Sequence, residues 1–251
     1  MKKTLLAASL SLLTCANASA DTLLGLYIGG QMWSNQASGS FGDGALNQSA
    51  FEFDDKYQGS FSVALEHPIP LIPNMKIAST TLDTVGGTTL SSTFTFNDKT
   101  YSANSELDTT LEASYVDYTL YYELFDNDLL TFDFGITARD IDSYIKVVEP
   151  TTTRNSDLSA SGFIPMAYVS TIVGLPFTGF NFFAEGNFVS YDDQTVYDLQ
   201  AGVSYAVLDN LAVDLDITLG YRTVKLELDD LDGFYSDLTF DGAFAGVIVH
   251  F

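Results

Sequence analysis

From Leu211 the chain reads LAVDLDITLGY, ending at Tyr221. In an extended chain Leu211, Val213, Leu215, Ile217, Leu219 and Tyr221 share one face, while Ala212, Asp214, Asp216, Thr218 and Gly220 share the other. A period of two with chemically distinct faces is the signature of a strand lying between two different media. The same reading extends outward along the chain. Leu130, Phe132, Phe134, Ile136 and Ala138 oppose Thr131, Asp133, Gly135, Thr137 and Arg139. Val116, Tyr118, Leu120, Tyr122 and Leu124 oppose Asp117, Thr119, Tyr121 and Glu123. Tyr197, Leu199, Ala201, Val203, Tyr205 and Val207 oppose Asp198, Gln200, Gly202 and Ser204. Helical periodicity is hard to find, and after Ala20 no stretch reaches the ~18 apolar residues of a membrane helix.

One such strand would also suit a soluble sandwich, with its apolar face inward. The connections favour a different solution. Short ones at Pro68 to Asn74, Phe125 to Asp128, Leu175 to Gly179 and Leu208 to Asn210 alternate with long polar ones near Ser34 to Asp55, Val85 to Ser105, Val148 to Ser161 and Glu227 to Asp237, with one brief long-side turn near Asp192 as the exception. Tight turns on one side and larger loops on the other are the layout of an outer-membrane barrel. The expected fold is therefore all-β, a transmembrane antiparallel up-and-down β-barrel of about ten strands. Its strands are expected near 22–34, 56–67, 75–97, 100–124, 129–147, 162–174, 180–191, 194–207, 211–226 and 236–251. Aromatic girdles are expected at Trp33, Tyr57, Tyr144, Tyr191 and Tyr235 on the long-loop side, and at Tyr122, Phe132, Phe177, Phe180, Tyr205 and Phe251 on the short-turn side.

Residues 1–20, MKKTLLAASLSLLTCANASA, carry Lys2 and Lys3, an apolar stretch from Leu5 to Leu13 and a small-residue end. This is the pattern of a secretory signal, with cleavage between Ala20 and Asp21 leaving residues 21–251 as the barrel. Asp and Glu number 33 against 10 Lys and Arg, so loss of the two lysines takes the charge to 8 − 33 = −25. Such a deficit of cations excludes nucleic acid as a partner.

Three further features carry a resemblance: LLGLYIGGQMW from Leu23 with its Gly29-Gly30 pair, PIPLIPN from Pro68 with LYYELFDND from Leu120, and the terminal GAFAGVIVHF. Phe251, with Val249, Val247, Ala245 and Ala243 before it, resembles the assembly signal of outer-membrane barrels. Together these features resemble the small Gly-Gly outer-membrane barrel family of Gram-negative bacteria. The resemblance implies a place in the cell outer membrane, contact with its lipid and lipopolysaccharide, and handling by the barrel assembly machinery. It brings no catalytic residues.

Little in the sequence supports catalysis. His67 and His250 are both expected at the short-turn rim, without the nucleophile and third group of a hydrolytic site. Omptin-like proteases resemble the chain in strand number but carry carboxylates and a His at the extracellular mouth. The acidic stretch Glu227 to Gly233 fails as a calcium loop, because aligning Gly233 as the turn glycine puts Leu228 and Thr239 at ligand positions. No enzyme, metal or cofactor is expected.

The polar faces instead define a lumen carrying Asp117, Glu123, Asp133, Glu185, Asp198, Asp214 and Asp216 with Arg139 and Arg222. An open lumen of this kind favours cations; a closed one pairs its arginines. Counting back from the Leu208 to Asn210 turn sets Asp198 against Arg222, predicting an inward ion pair. The functional expectation is a barrel that is structural or a narrow, cation-preferring pore. The alternative is a surface-binding protein acting through the loops near Ser34 to Asp55 and Val85 to Ser105.

Overall fold

The computed structural model describes residues 24–127, 129–192, 194–210 and 213–251. The leader and the Ala20–Asp21 junction lie outside them. The described chain folds into β1 (Gly25–Gly42), β2 (Gln48–Phe53), β3 (Lys56–Glu66), β4 (Asn74–Thr80), β5 (Asp83–Thr89), β6 (Phe94–Phe96) and β7 (Lys99–Tyr101). These are followed by β8 (Glu106–Asn127), β9 (Leu130–Glu149), β10 (Arg154–Gly174), β11 (Phe180–Tyr191), β12 (Gln194–Leu208), β13 (Asp214–Leu231) and β14 (Phe234–His250). All pairings are antiparallel, and β1 pairs with β14 from Tyr27↔His250 to Gly42↔Tyr235. The pairings run as a ring through β3, β4 and β8 to β14 and back to β1. β2 and β5 continue the walls begun by β3 and β4, while β6 and β7 form a separate hairpin.

β1 runs on to Gly42 and β10 begins at Arg154, beyond the expected 34 and 162, and the strands swap faces along their length. On β13 the inward side runs Thr218, Gly220, Arg222 and then Val224, Leu226, Leu228; the outward side runs Ile217, Leu219, Tyr221 and then Thr223, Lys225, Glu227. Alternation persists, but beyond Arg222 the apolar residues turn inward. On β8 the outward Val116, Tyr118 and Leu120 give way to Ser114, Glu112 and Asp108, as the inward Asp117 and Thr119 give way to Tyr115, Ala113 and Leu111. β9 and β14 follow the same rule. Read with a fixed apolar face, the distal parts look like polar loops.

Three expected long loops are therefore wall. Ser34 to Asp55 is the upper part of β1 and the β2 hairpin, and Val148 to Ser161 holds only a turn between β9 and β10. Glu227 to Asp237 closes through Asp232 and Gly233, both at positive φ, with Leu231 opposite Phe234. An Asp-Gly pair at that spacing is the sequence mark of a two-residue hairpin turn. The expected strand 75–97 is broken between Thr80 and Asp83, and residues 94–101 leave the wall. The connections after β3 and β10 fall where expected, whereas β8 runs on to Asn127 and β13 begins only at Asp214.

Residues 94–101 fold into the distal mouth. Phe94, Phe96 and Tyr101 are fully buried there with Phe41, Phe51, Phe234, Phe240, Leu107, Leu111, Ile141 and Ile145. The Phe41 ring stacks on Phe51 at 4.5 Å and meets Phe96 edge-on at 5.7 Å. Trp33, expected in an outer girdle, belongs to this core at 1% exposure. Its position on the inward face of β1, level with the swap, accounts for the difference. Each such side chain contributes roughly 1.5–3 kcal/mol by burial, so the distal half is built like a soluble β protein.

Candidate functional site

Below the apolar fill lies a layer of charge. Arg139 on β9 stands directly opposite Asp117 on β8, donating from Nε at 2.8 Å and Nη2 at 2.7 Å. Arg222 on β13 donates to Asp198 from Nε at 2.8 Å and Nη2 at 2.7 Å. The two pairs are joined, since Arg139 Nη2 reaches Asp198 Oδ2 at 3.0 Å and the Tyr115 hydroxyl donates to the same oxygen at 2.6 Å. Tyr115 lies face-on to Arg139, 3.6 Å from guanidinium carbon to ring centroid. Two arginines and two aspartates balance in formal charge, and all four side chains are buried. Opposite walls thus touch across the bore.

The register behind the Arg222 pair differs from the expectation. Asp198 opposes Val224 and Arg222 opposes Gln200, because Leu208 pairs with Leu215 rather than Ala212 and the irregularity between Ala206 and Leu208 takes back only one residue of that offset. Residues two apart share a face, so the long guanidinium reaches Asp198 diagonally.

Toward the termini-side rim the layer opens into connected cavities of about 250 Å³ and about 460 Å³. The first is bounded by Asp117, Asp198 and Arg222 and includes Asp216 and Glu185 in its wall. The second takes in Asp133, Glu185 and Glu123 with Glu66, Asp126 and His250. The nine lumen candidates therefore divide: Asp117, Arg139, Asp198 and Arg222 form the layer, Glu123, Asp133, Glu185 and Asp216 line the cavities, and Asp214 sits at the rim beside His250, 3.3 Å from Nδ1.

Lys76 was missed by the sequence reading. It sits between the outward Met75 and Ile77, so period two alone points it inward, where Nζ lies 2.5 and 2.6 Å from the Glu185 carboxylate. Glu66, also missed, accepts from the Tyr121 hydroxyl at 2.7 Å. His250 stacks on Tyr27 with centroids 4.1 Å apart, and His67 Nδ1 accepts from the Ile69 amide at 3.3 Å. Among the described residues no cluster of three or more His, Cys, Asp or Glu side chains is arranged to hold a metal ion.

On the outer surface Leu120, Tyr122, Phe134, Ile136, Phe182, Leu199, Ile217, Leu219 and Val247 are exposed. Tyr122, Phe177, Phe180, Tyr205 and Phe251 edge this apolar belt at the termini side. The candidate assembly residues Val247, Val249 and Phe251 share the outward face of β14 and its end.

No protein family matches the sequence, and no curated protein does. Three solved structures align along most of the chain at low similarity. The transport unit of the autotransporter AIDA-I from Escherichia coli is 9% identical with a TM-score of 0.43, over 98% of this chain and 95% of that one. Neisserial surface protein A is 16% identical with a TM-score of 0.34, over 89% and 96%. The toluene transporter TodX of P. putida is 6% identical with a TM-score of 0.31, over 90% and 89%.

Proposed function

We propose that the chain is an integral β-barrel of about ten strands in the cell outer membrane, structural in role and sealed against through-flow. What carries this reading is the swap of faces at a common level on β8, β9, β13 and β14. Below that level the outside is apolar and the inside polar, as lipid around a wet lumen demands. Above it the outside is polar and the inside apolar, as water around a packed core demands. The short turns and both strand termini then face the periplasm, and the distal wall stands outside the cell. Lipid and lipopolysaccharide cover the belt, and Phe251, Val249 and Val247 offer the assembly machinery its outward-facing terminal strand.

Of the two expected behaviours, structural and narrowly conducting, the filled bore supports the first. A cation path would have to cross both the Arg139–Asp198–Arg222 layer and the apolar residues above it. Planar-bilayer recording of the refolded chain tests this. The expected trace lacks stepwise conductance; a steady ohmic current selective for cations restores the pore.

A second reading, surface binding, rests on the distal wall itself. Glu106, Asp108 and Glu112 point outward there, giving an acidic surface suited to a cationic ligand, while the neighbouring Asp237 is paired with Lys225. Neutralising these three should abolish adhesion to a basic partner while leaving insertion intact; adhesion that persists removes this reading.

A further inference from the structure

The termini-side cavity holds more negative charge than its own cations match. Glu66, Glu123, Asp126, Asp133 and Glu185 stand in its wall with one lysine, Lys76, giving −5 + 1 = −4 before the rim histidines His67 and His250 are counted. Glu185 is already neutralised by Lys76, whose ammonium also lies 5.8 Å from the Tyr168 ring. The rest are less well served. Glu123 and Asp133 are directly opposed in the β8–β9 register, which brings like charges together where a sheet ordinarily avoids them. Asp133 is only 7% exposed, and its Oδ1 meets no hydrogen-bond donor. A buried carboxylate oxygen without a partner calls for a cation or donor from outside. The rings of Tyr27, Tyr121 and Tyr168 line the same space.

We propose that this cavity binds an organic polycation of the polyamine class, with an ammonium between Glu123 and Asp133 and methylenes against the tyrosine rings. The Lys76–Glu185–Tyr168 contact displays the same chemistry within the protein itself: an ammonium held by a carboxylate near an aromatic face. The carboxylates do not converge as metal ligands do, which favours an elongated guest with spaced charges over a bare ion. The compartment sampled rests on the orientation proposed above; the pocket chemistry does not.

Calorimetric titration of the full chain, refolded in detergent micelles, with spermidine tests the site. One saturable event is expected, weakened about tenfold or more by D133N or E123Q, as for loss of one charge-assisted contact, and unchanged by D108N on the outer wall. Glu123 is the more exposed of the pair, so E123Q serves where D133N fails to refold. Absence of saturable heat at millimolar spermidine overturns the proposal. So does equal weakening by D108N, which marks diffuse attraction, or tighter binding of magnesium that displaces spermidine. Bilayer conductance is read separately, so a conducting barrel that binds spermidine refutes the sealed bore and keeps this site.

Discussion

Asp198 accepts from Arg139, Arg222 and Tyr115 at once, so its removal leaves the buried Arg222 guanidinium without a carboxylate and Arg139 with Asp117 alone. Breaking a buried ion pair from one side costs about 3–5 kcal/mol, whereas replacing both members with apolar groups of similar size is often neutral. Asp198→Ala should therefore lower unfolding stability in urea by about that amount. The double change Asp198→Leu with Arg222→Met should recover part of it, although Arg139 keeps only Asp117. Gly220 makes a different point. It faces Gly202 across β12 and β13, and a Cβ there would lie 2.7 Å from the Phe244 ring. That ring is buried in the core, so Gly220→Val should cost about 1–3 kcal/mol by overpacking in the same assay.

At the level of elements, the β6–β7 hairpin is held by its rings and by side-chain contacts at its tip. The Asn97 backbone amide donates to Asp43 Oδ2 at 2.8 Å, and its side-chain amide donates to the Asp157 carbonyl at 2.6 Å. Phe96→Ala should cost about 3–5 kcal/mol locally and speed amide exchange across residues 94–101, while leaving β13 protected. Nearby, the turn after β9 is tied by Glu149, which accepts from Ser105 at 2.5 Å and from Thr152. Those hydrogen bonds hold the Glu149 carboxyl below its ordinary value of 4.5. The sign follows from linkage: a depressed acid stabilises above its unfolded pKa and loses that contribution as pH falls through the lower folded one. Protease clipping near Thr152 should stay slow at neutral pH and rise only in acid below about 4.3, and Glu149→Gln should remove that acid step.

These elements also explain what the sequence made legible. Period two located β8, β9, β12 and β13 and assigned the Arg222–Asp198 pair to one side, because alternation survives any change of medium. It missed the distal change of face, because Val224, Leu226 and Leu228 continue the face of Arg222 rather than that of Leu219. It also misjudged the register, since a three-residue connection was assumed where Leu208 pairs with Leu215, and the one-residue bulge at Ala206 and Leu208 leaves no mark in composition. Asp232-Gly233 was the one local signal that would have closed the last hairpin. Nothing in Phe94, Phe96 or Tyr101 distinguishes a wall strand from a hairpin tucked within the mouth.

For the molecule as a whole, the proposed membrane reading puts the edge of lipid at the face swap, and one strand suffices to test it. Leu219 and Thr223 both point outward on β13, four residues apart, one in the apolar belt and one beyond Tyr221. An arginine facing lipid costs about 2–4 kcal/mol near the midplane of a barrel and about 0–1 at the interface. Leu219→Arg should therefore destabilise the barrel in bilayers far more than Thr223→Arg, and the gap should close in denaturation from a water-exposed state lacking lipid. On a soluble protein both positions are solvent-facing, and both arginines would be tolerated alike. The inward neighbours invert the order: Val224→Asp should cost more than Thr218→Asp, since the first enters a dry core and the second a cavity wall already carrying Asp216. Only a barrel whose outside and inside exchange character at Arg222 gives both rankings together.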